Sequence, residues 1–197
     1  MSDIEKLNTA EEAATTEKKK KLSNKEIAVL GLLTAIVIIL QTVLQIPAGT
    51  FTISTVLVPI VIGAALYGPW AGAWLGTVFG ATVLLSGQAA YFMGFNAAGT
   101  IFTVMLKGIL CGLGAGIIYK ALVKKNPKTA AVAASVAAPC INTGIFIICC
   151  LIFFRQLGDF KYIITAFVGL NFVIELIVNL LLSSAVIFLI KYAKRRA

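Results

Sequence analysis

Long apolar runs, nearly free of charge, follow one another from Lys25 to Tyr192. Strands of a transmembrane barrel would show short segments of alternating polarity, whereas unbroken runs of this kind fit helices. Water cannot solvate a soluble domain made from a chain that is 59% hydrophobic with a mean hydropathy of +0.97. The expected fold class is therefore an all-α integral membrane protein. One span takes roughly 20 apolar residues, which leaves room for about six transmembrane helices.

The chain divides into two parts. Residues 1–24 are polar, rich in Lys and Glu, and poor in large apolar side chains, which predicts a disordered cytoplasmic tail. The stretch after it is too long for a cleavable signal peptide, and further spans follow. Residues 25–197 form one six-helix transmembrane domain. The first helix runs from about Lys25 to Ile46, capped by Asn24 or Ser23, and ends at Pro47-Ala-Gly49. The second runs from about Thr55 to Tyr67 and is short for a span. Gly68-Pro69 makes a tight turn, with Pro69 suited to open the third helix. That helix ends near Ser86-Gly87. The fourth runs from about Ala97 to Val123, the fifth from about Ala130 to Phe154 with a kink site at Pro139, and the sixth from about Tyr162 to Tyr192. The lysine-rich start, the Lys120–Lys128 turn and the basic C-terminus fall on one side of six spans. The positive-inside rule then makes both termini cytoplasmic and turns residues 47–54, 87–96 and 155–161 outward.

Gly68, Gly72, Gly76 and Gly80 recur every fourth residue, so they share one helix face and leave a groove without side chains. Such a groove admits a neighbouring helix, either inside the bundle or on a partner.

Several classes of function are excluded. The net charge is +9, yet the first 26 residues balance six Lys against six acidic residues, and the surplus flanks helix ends. Cytoplasmic loops require that pattern, so it is no sign of nucleic-acid binding. There is no histidine, which removes Ser-His and Cys-His nucleophile pairs and the usual zinc sites. Cys111, Cys140, Cys149 and Cys150 lie in apolar runs without metal-ligand spacing and read as packing residues. No cofactor or metal is expected, nor an enzyme. A phosphate-binding GxxxxGK[ST] stretch is absent too, so an ATP motor would sit on another chain.

Charges inside spans mark function by default, and there are two, Lys107 and Glu175. Lys107 lies roughly 15 Å down the fourth helix from its outer start. Asn96, Thr100, Thr103 and Lys107 form one stripe along that helix. Asn171, Glu175 and Asn179 form another on the sixth, with Asn171 roughly 14 Å and Glu175 roughly 20 Å deep. Asn142 and Thr143 on the fifth reach similar depth. Lipid satisfies none of these groups, so they face one another or a polar pocket. One reading is a Lys107–Glu175 ion pair that only ties helices together. The other is a pocket for a small polar molecule, with Tyr91, Phe92 and Phe95 as an aromatic lid and Gln88 and Asn96 as hydrogen-bonding groups. The same aromatics also fit an interfacial belt. Gln41 and Gln45, near the outer end of the first helix, either line the pocket or meet solvent.

The segment Thr55-Val-Leu-Val-Pro59-Ile-Val-Ile-Gly63-Ala-Ala-Leu-Tyr67-Gly68-Pro69-Trp-Ala-Gly72, the six short-looped spans and the lysine-rich start together resemble the substrate-binding S components of energy-coupling factor (ECF) vitamin transporters, over about residues 25 to 192. That family carries a small-residue Ala-xxx-Ala motif in its first helix, which docks on a transmembrane coupling subunit. Here the place reads Gly31-Leu-Leu-Thr-Ala35, preceded by Ala28. The resemblance implies a multi-pass protein of the prokaryotic cell membrane that binds a vitamin or precursor near the outer face. It also implies a transmembrane coupling protein and two ABC-type ATPases as partners, with transport by toppling of the binder. Ala28, Gly31, Ala35, Gly68 and Gly72 are then candidate partner contacts. Lys107 favours a carboxylate or phosphate, and a pantothenate-like acid is the first candidate. The competing reading is a self-contained small carrier or channel that works without ATPases.

Overall fold

The protein is described here from a computed structural model covering residues 23–43, 46–48, 51–53, 55–154 and 170–196. Residues 1–22 of the expected tail (1–24), the 155–161 turn and the start of the sixth helix near Tyr162 lie outside the described residues.

Helix α1 (Asn24–Thr42) opens with the Ser23 backbone N–H donating to the Glu26 carboxylate at 2.8 Å. It ends four residues before the predicted Ile46, and a hairpin stands where the sequence predicted the end of that helix and an outward loop. Strand β1 (Ile46–Ala48) pairs antiparallel with β2 (Phe51–Ile53), with Ile46 opposite Ile53 and Ala48 opposite Phe51. Pro47 cannot continue a helix but fits the edge of so short a sheet. Then come α2 (Leu57–Tyr67), α3 (Pro69–Leu85), the single turn α4 (Ala90–Met93), α5 (Ala97–Leu122), α6 (Pro127–Phe153) and α7 (Leu170–Arg196). Gly68 joins α2 to α3 at φ +93°, a left-handed conformation that glycine adopts without strain, and Pro69 takes the first helical position. Asn126 caps α6 by accepting from Lys128 N at 2.9 Å, so this helix begins three residues before the predicted Ala130.

α1, α5, α6 and residues 172–192 of α7 are each long and apolar enough to cross a membrane; α2 and α3 are apolar but shorter. The brevity of α2 has a packing reason. Its 11 residues rise only about 16 Å, yet residues 59 to 65 are all buried. A helix that is apolar all round and enclosed by protein need not span lipid by itself. Around α2 lies one core, with Val37 from α1, Leu57 and Ile60 from α2, Leu75 from α3, Cys111 from α5 and Ala134 from α6. Large apolar side chains also point outward, among them Leu32, Leu85, Phe102, Ile152, Leu181 and Phe188. An outer surface of this kind suits acyl chains.

The glycines of α3 meet a second glycine series. A Cβ built on Gly72 would strike the Gly112 carbonyl, and one built on Gly76 would strike the Gly108 carbonyl; the reverse holds from Gly108 and Gly112. Gly80 faces Val104, and Gly116 meets Pro69. As α3 rises, α5 descends, so the two helices lie antiparallel with backbones in contact along about three turns. The groove is thus filled from within the bundle. This corrects the expectation that Gly72 offers a face to a partner.

Candidate functional site

Three helices bring polar groups together in the interior. α5 supplies Thr100, Thr103 and Lys107; α6 supplies Asn142; α7 supplies Glu175 and Asn179. Spacing of three or four residues keeps each set on one helix face. Thr103 and Asn179 are 1% exposed, Glu175 5% and Asn142 7%. The threonine hydroxyls turn back on their own helix: Thr100 Oγ1 donates to the Asn96 carbonyl at 2.7 Å and Thr103 Oγ1 to the Gly99 carbonyl at 2.6 Å. Each hydroxyl oxygen keeps its capacity to accept.

The Lys107 ammonium lies between two aromatic rings, with Nζ 5.3 Å from the Phe146 centroid on α6 and 5.8 Å from the Phe79 centroid on α3. Both distances fall within cation–π range. Glu175 is hydrogen-bonded by the Asn142 side chain, and Lys107 supplies it with opposing charge. Asn179 Nδ2 donates to the Glu175 backbone carbonyl at 2.8 Å. Among the described residues, Asn142 Oδ1 and Asn179 Oδ1 are buried with no hydrogen-bond partner. Two unpaired acceptors beside a carboxylate and an ammonium are costly unless a donor meets them.

Above this cluster sits the aromatic turn. Phe92 is buried and packs edge-on against Phe146 (5.5 Å) and Phe154 (5.3 Å). Tyr91 is half exposed and leans on Phe92 and Phe95. Asn96 caps α5, its Oδ1 accepting from Gly99 N at 2.9 Å. Gln41 and Gln88 engage each other: Gln41 Nε2 donates to Gln88 Oε1 at 2.7 Å, and Gln88 Nε2 donates to the Gln41 carbonyl at 3.2 Å. That exchange fastens the outer end of α1 to the α3–α4 turn.

Of the residues singled out in the sequence, Lys107, Asn142 and Glu175 thus share one interior site; Thr103 is buried one turn before Lys107 on α5, and Tyr91 lies in the turn between α3 and α5. Gln41, Gln88 and Asn96 are held in scaffold bonds. Asn171 belongs to α7, and its side chain lies outside the described residues. Phe79 and Phe146 were not anticipated, since an aromatic letter in an apolar run looks the same in a core and in a cation cage. On α1, Ala28, Gly31 and Ala35 are exposed, and nothing lies within 4 Å of a Cβ built on Gly31. Gly68 is likewise clear of neighbours within 4 Å.

A hollow of about 540 Å³ lies between α1, α2 and α7, lined by residues such as Leu33, Ile36, Ile62 and Leu189. Another, of about 590 Å³, runs along α5 past Ile101, Phe102 and Met105. Both are apolar, and neither is lined by Lys107 or Glu175.

A family model described as "ECF transporter, substrate-specific component" matches residues 25–190. A search of curated proteins gave no match.

Proposed function

This chain belongs to the substrate-specific components of ECF transporters, and from that membership we propose that it captures a small carboxylate-bearing vitamin or precursor between α5, α6 and α7. Membership makes it a multi-pass membrane protein engaged in transport, in a family of transport components and not of enzymes, and implies a complex with coupling and ATPase subunits. In our reading residues 25–197 are the transmembrane binding domain behind a cytoplasmic tail (1–24), in a prokaryotic cell membrane.

One observation carries the reading: a half-buried Lys107 ammonium, caged by two rings, shares a site with the buried Glu175 carboxylate and the unpaired Asn142 amide oxygen. A purely structural ion pair has no use for that acceptor. A ligand with a carboxylate for Lys107, and hydroxyl or amide N–H groups for Asn142, Asn179 and Glu175, meets all of them. A pantothenate-like acid has this chemistry. Thr103 adds an acceptor, Asn171 continues the α7 stripe outward, and Tyr91 with Phe92 covers the entrance. Gln41, Gln88 and Asn96 support the site by holding α1, the turn and α5 in place. Ala28, Gly31 and Ala35, joined by Gly68 at the turn, form the surface for the coupling protein, and two ABC-type ATPases complete the importer.

Native mass spectrometry of the purified chain tests the reading. We expect a retained small acid, displaced by excess pantothenate. A chain that carries nothing and gains no mass from a panel of carboxylate vitamins contradicts it.

A further inference from the structure

Phe146 touches two things at once. Its ring lies 5.3 Å from the Lys107 ammonium and 5.5 Å from the Phe92 ring, the latter at an interplanar angle of 87°. Phe92 belongs to α4, the turn above the site, whereas Lys107 belongs to α5. We propose that Phe146 is a positioning residue that couples the aromatic turn to Lys107, so that an anion drawing on the ammonium also changes the hold on the turn. This deepens the pocket reading of the preceding section and rests on it for its purpose, though not for its test.

The two rings of the cage play different parts. Phe79 stands between Gly76 and Gly80, on the face of α3 locked to α5 by the glycine contacts. It therefore moves with Lys107 as one body. Phe146 sits on α6, the helix that also anchors Phe92 through Phe154 and Cys150. The turn itself is the link between α3 and α5, with Asn96 N donating to the Phe92 carbonyl at 3.1 Å, so the Lys107–Phe146 contact crosses from that unit to α6, whose rings grip Phe92 from the other side. A ring's attraction for a cation comes from the negative potential of its face, and its grip on a neighbouring ring edge comes from the same quadrupole. When the ammonium turns toward a carboxylate, Phe146 is released on one side and its contact with Phe92 is free to readjust. Phe154 still holds the turn, so the effect is graded loosening and not detachment.

The test is a double-mutant cycle read by amide hydrogen exchange at residues 88–96, on the full chain in detergent with no ligand added. With Phe146 present, Lys107→Met should speed exchange there about two- to tenfold. In a Phe146→Leu background the same substitution should add nothing, because the connecting ring is gone. Phe146→Tyr keeps the quadrupole and should keep the response. Lys107→Gln gives a second neutral side chain of similar reach if the Met variant folds poorly, and a melting curve for each variant separates local loosening from global loss. An equal response to Lys107→Met with and without Phe146, or no response in either, overturns the proposal. With no ligand in the experiment, this failure leaves the substrate reading standing, and a wrong substrate leaves this result standing.

Discussion

Lys107 carries its charge about 15 Å along α5 from the helix start, a depth at which a lysine costs about 2.5–3.5 kcal/mol. Two cation–π contacts return about 0.5–2 kcal/mol each. The rings therefore offset much of the cost, and the charge of Glu175 offsets more, but neither explains why a charge is kept there. Replacement by Met removes the burial cost together with the contacts. We expect Lys107→Met to shift the melting temperature by only a few degrees and to weaken binding of a carboxylate ligand about tenfold or more, the range for a hydrogen bond to a charged group. A collapse in melting with unchanged affinity would identify a structural pair instead. At this scale the charged members of the site were legible, because a charge in an apolar run is conspicuous. Lys107, Asn142 and Glu175 were read at matching depth from the helical rise alone. Phe79 and Phe146 were hidden, since their role depends on which helix faces which. The bonds of three amides were hidden for a related reason: nothing in the letters shows that Gln41 and Gln88 bond to each other or that Asn96 caps α5.

Among the elements, the α3–α5 pair decides the architecture. Close backbone approach in a membrane depends on small residues along the whole seam. Here Gly72 meets Gly112 and Gly76 meets Gly108. Gly76→Ala should therefore destabilise the protein by about 1–3 kcal/mol, as overpacking does, and thermal unfolding in detergent measures it. Gly31→Ala is the control: its Cβ enters open space, and the helix gains up to about 1 kcal/mol in propensity. A neutral Gly76→Ala would mean that the two backbones are farther apart than described. The repeat on α3 stood out in the sequence. Its complement, Gly108, Gly112 and Gly116, shows the same four-residue spacing and was not matched to it, so the groove stayed open to either an internal or an external occupant. Helix ends were read to within a few residues where Pro or Gly marked them, as at Gly68-Pro69. The β1–β2 hairpin escaped because three-residue strands around Pro47 show too little alternation to register.

Across the whole molecule, our reading places binding and coupling on different helices. The charged cluster lies among α5, α6 and α7, and the exposed small-residue stripe Ala28, Gly31 and Ala35 lies on α1. In our reading this arrangement would let the binding site keep its ligand while α1 engages another protein. Six apolar helices and their family were legible from hydropathy, charge placement and the Thr55–Gly72 segment together. The packing of α3 against α5, which closes the Gly72 groove from within, leaves Ala28, Gly31 and Ala35 as the open small-residue surface.

The measurement that bears most directly on this division is native mass spectrometry of material purified through this chain from cells that also express a coupling protein and its ATPases, comparing the native sequence with Gly31→Leu. We expect the native chain to arrive with its partners and a small acid, and the variant to arrive folded, still holding the acid, but without the coupling protein. A variant that retains the full complex, or that loses the acid along with the partners, would contradict the account.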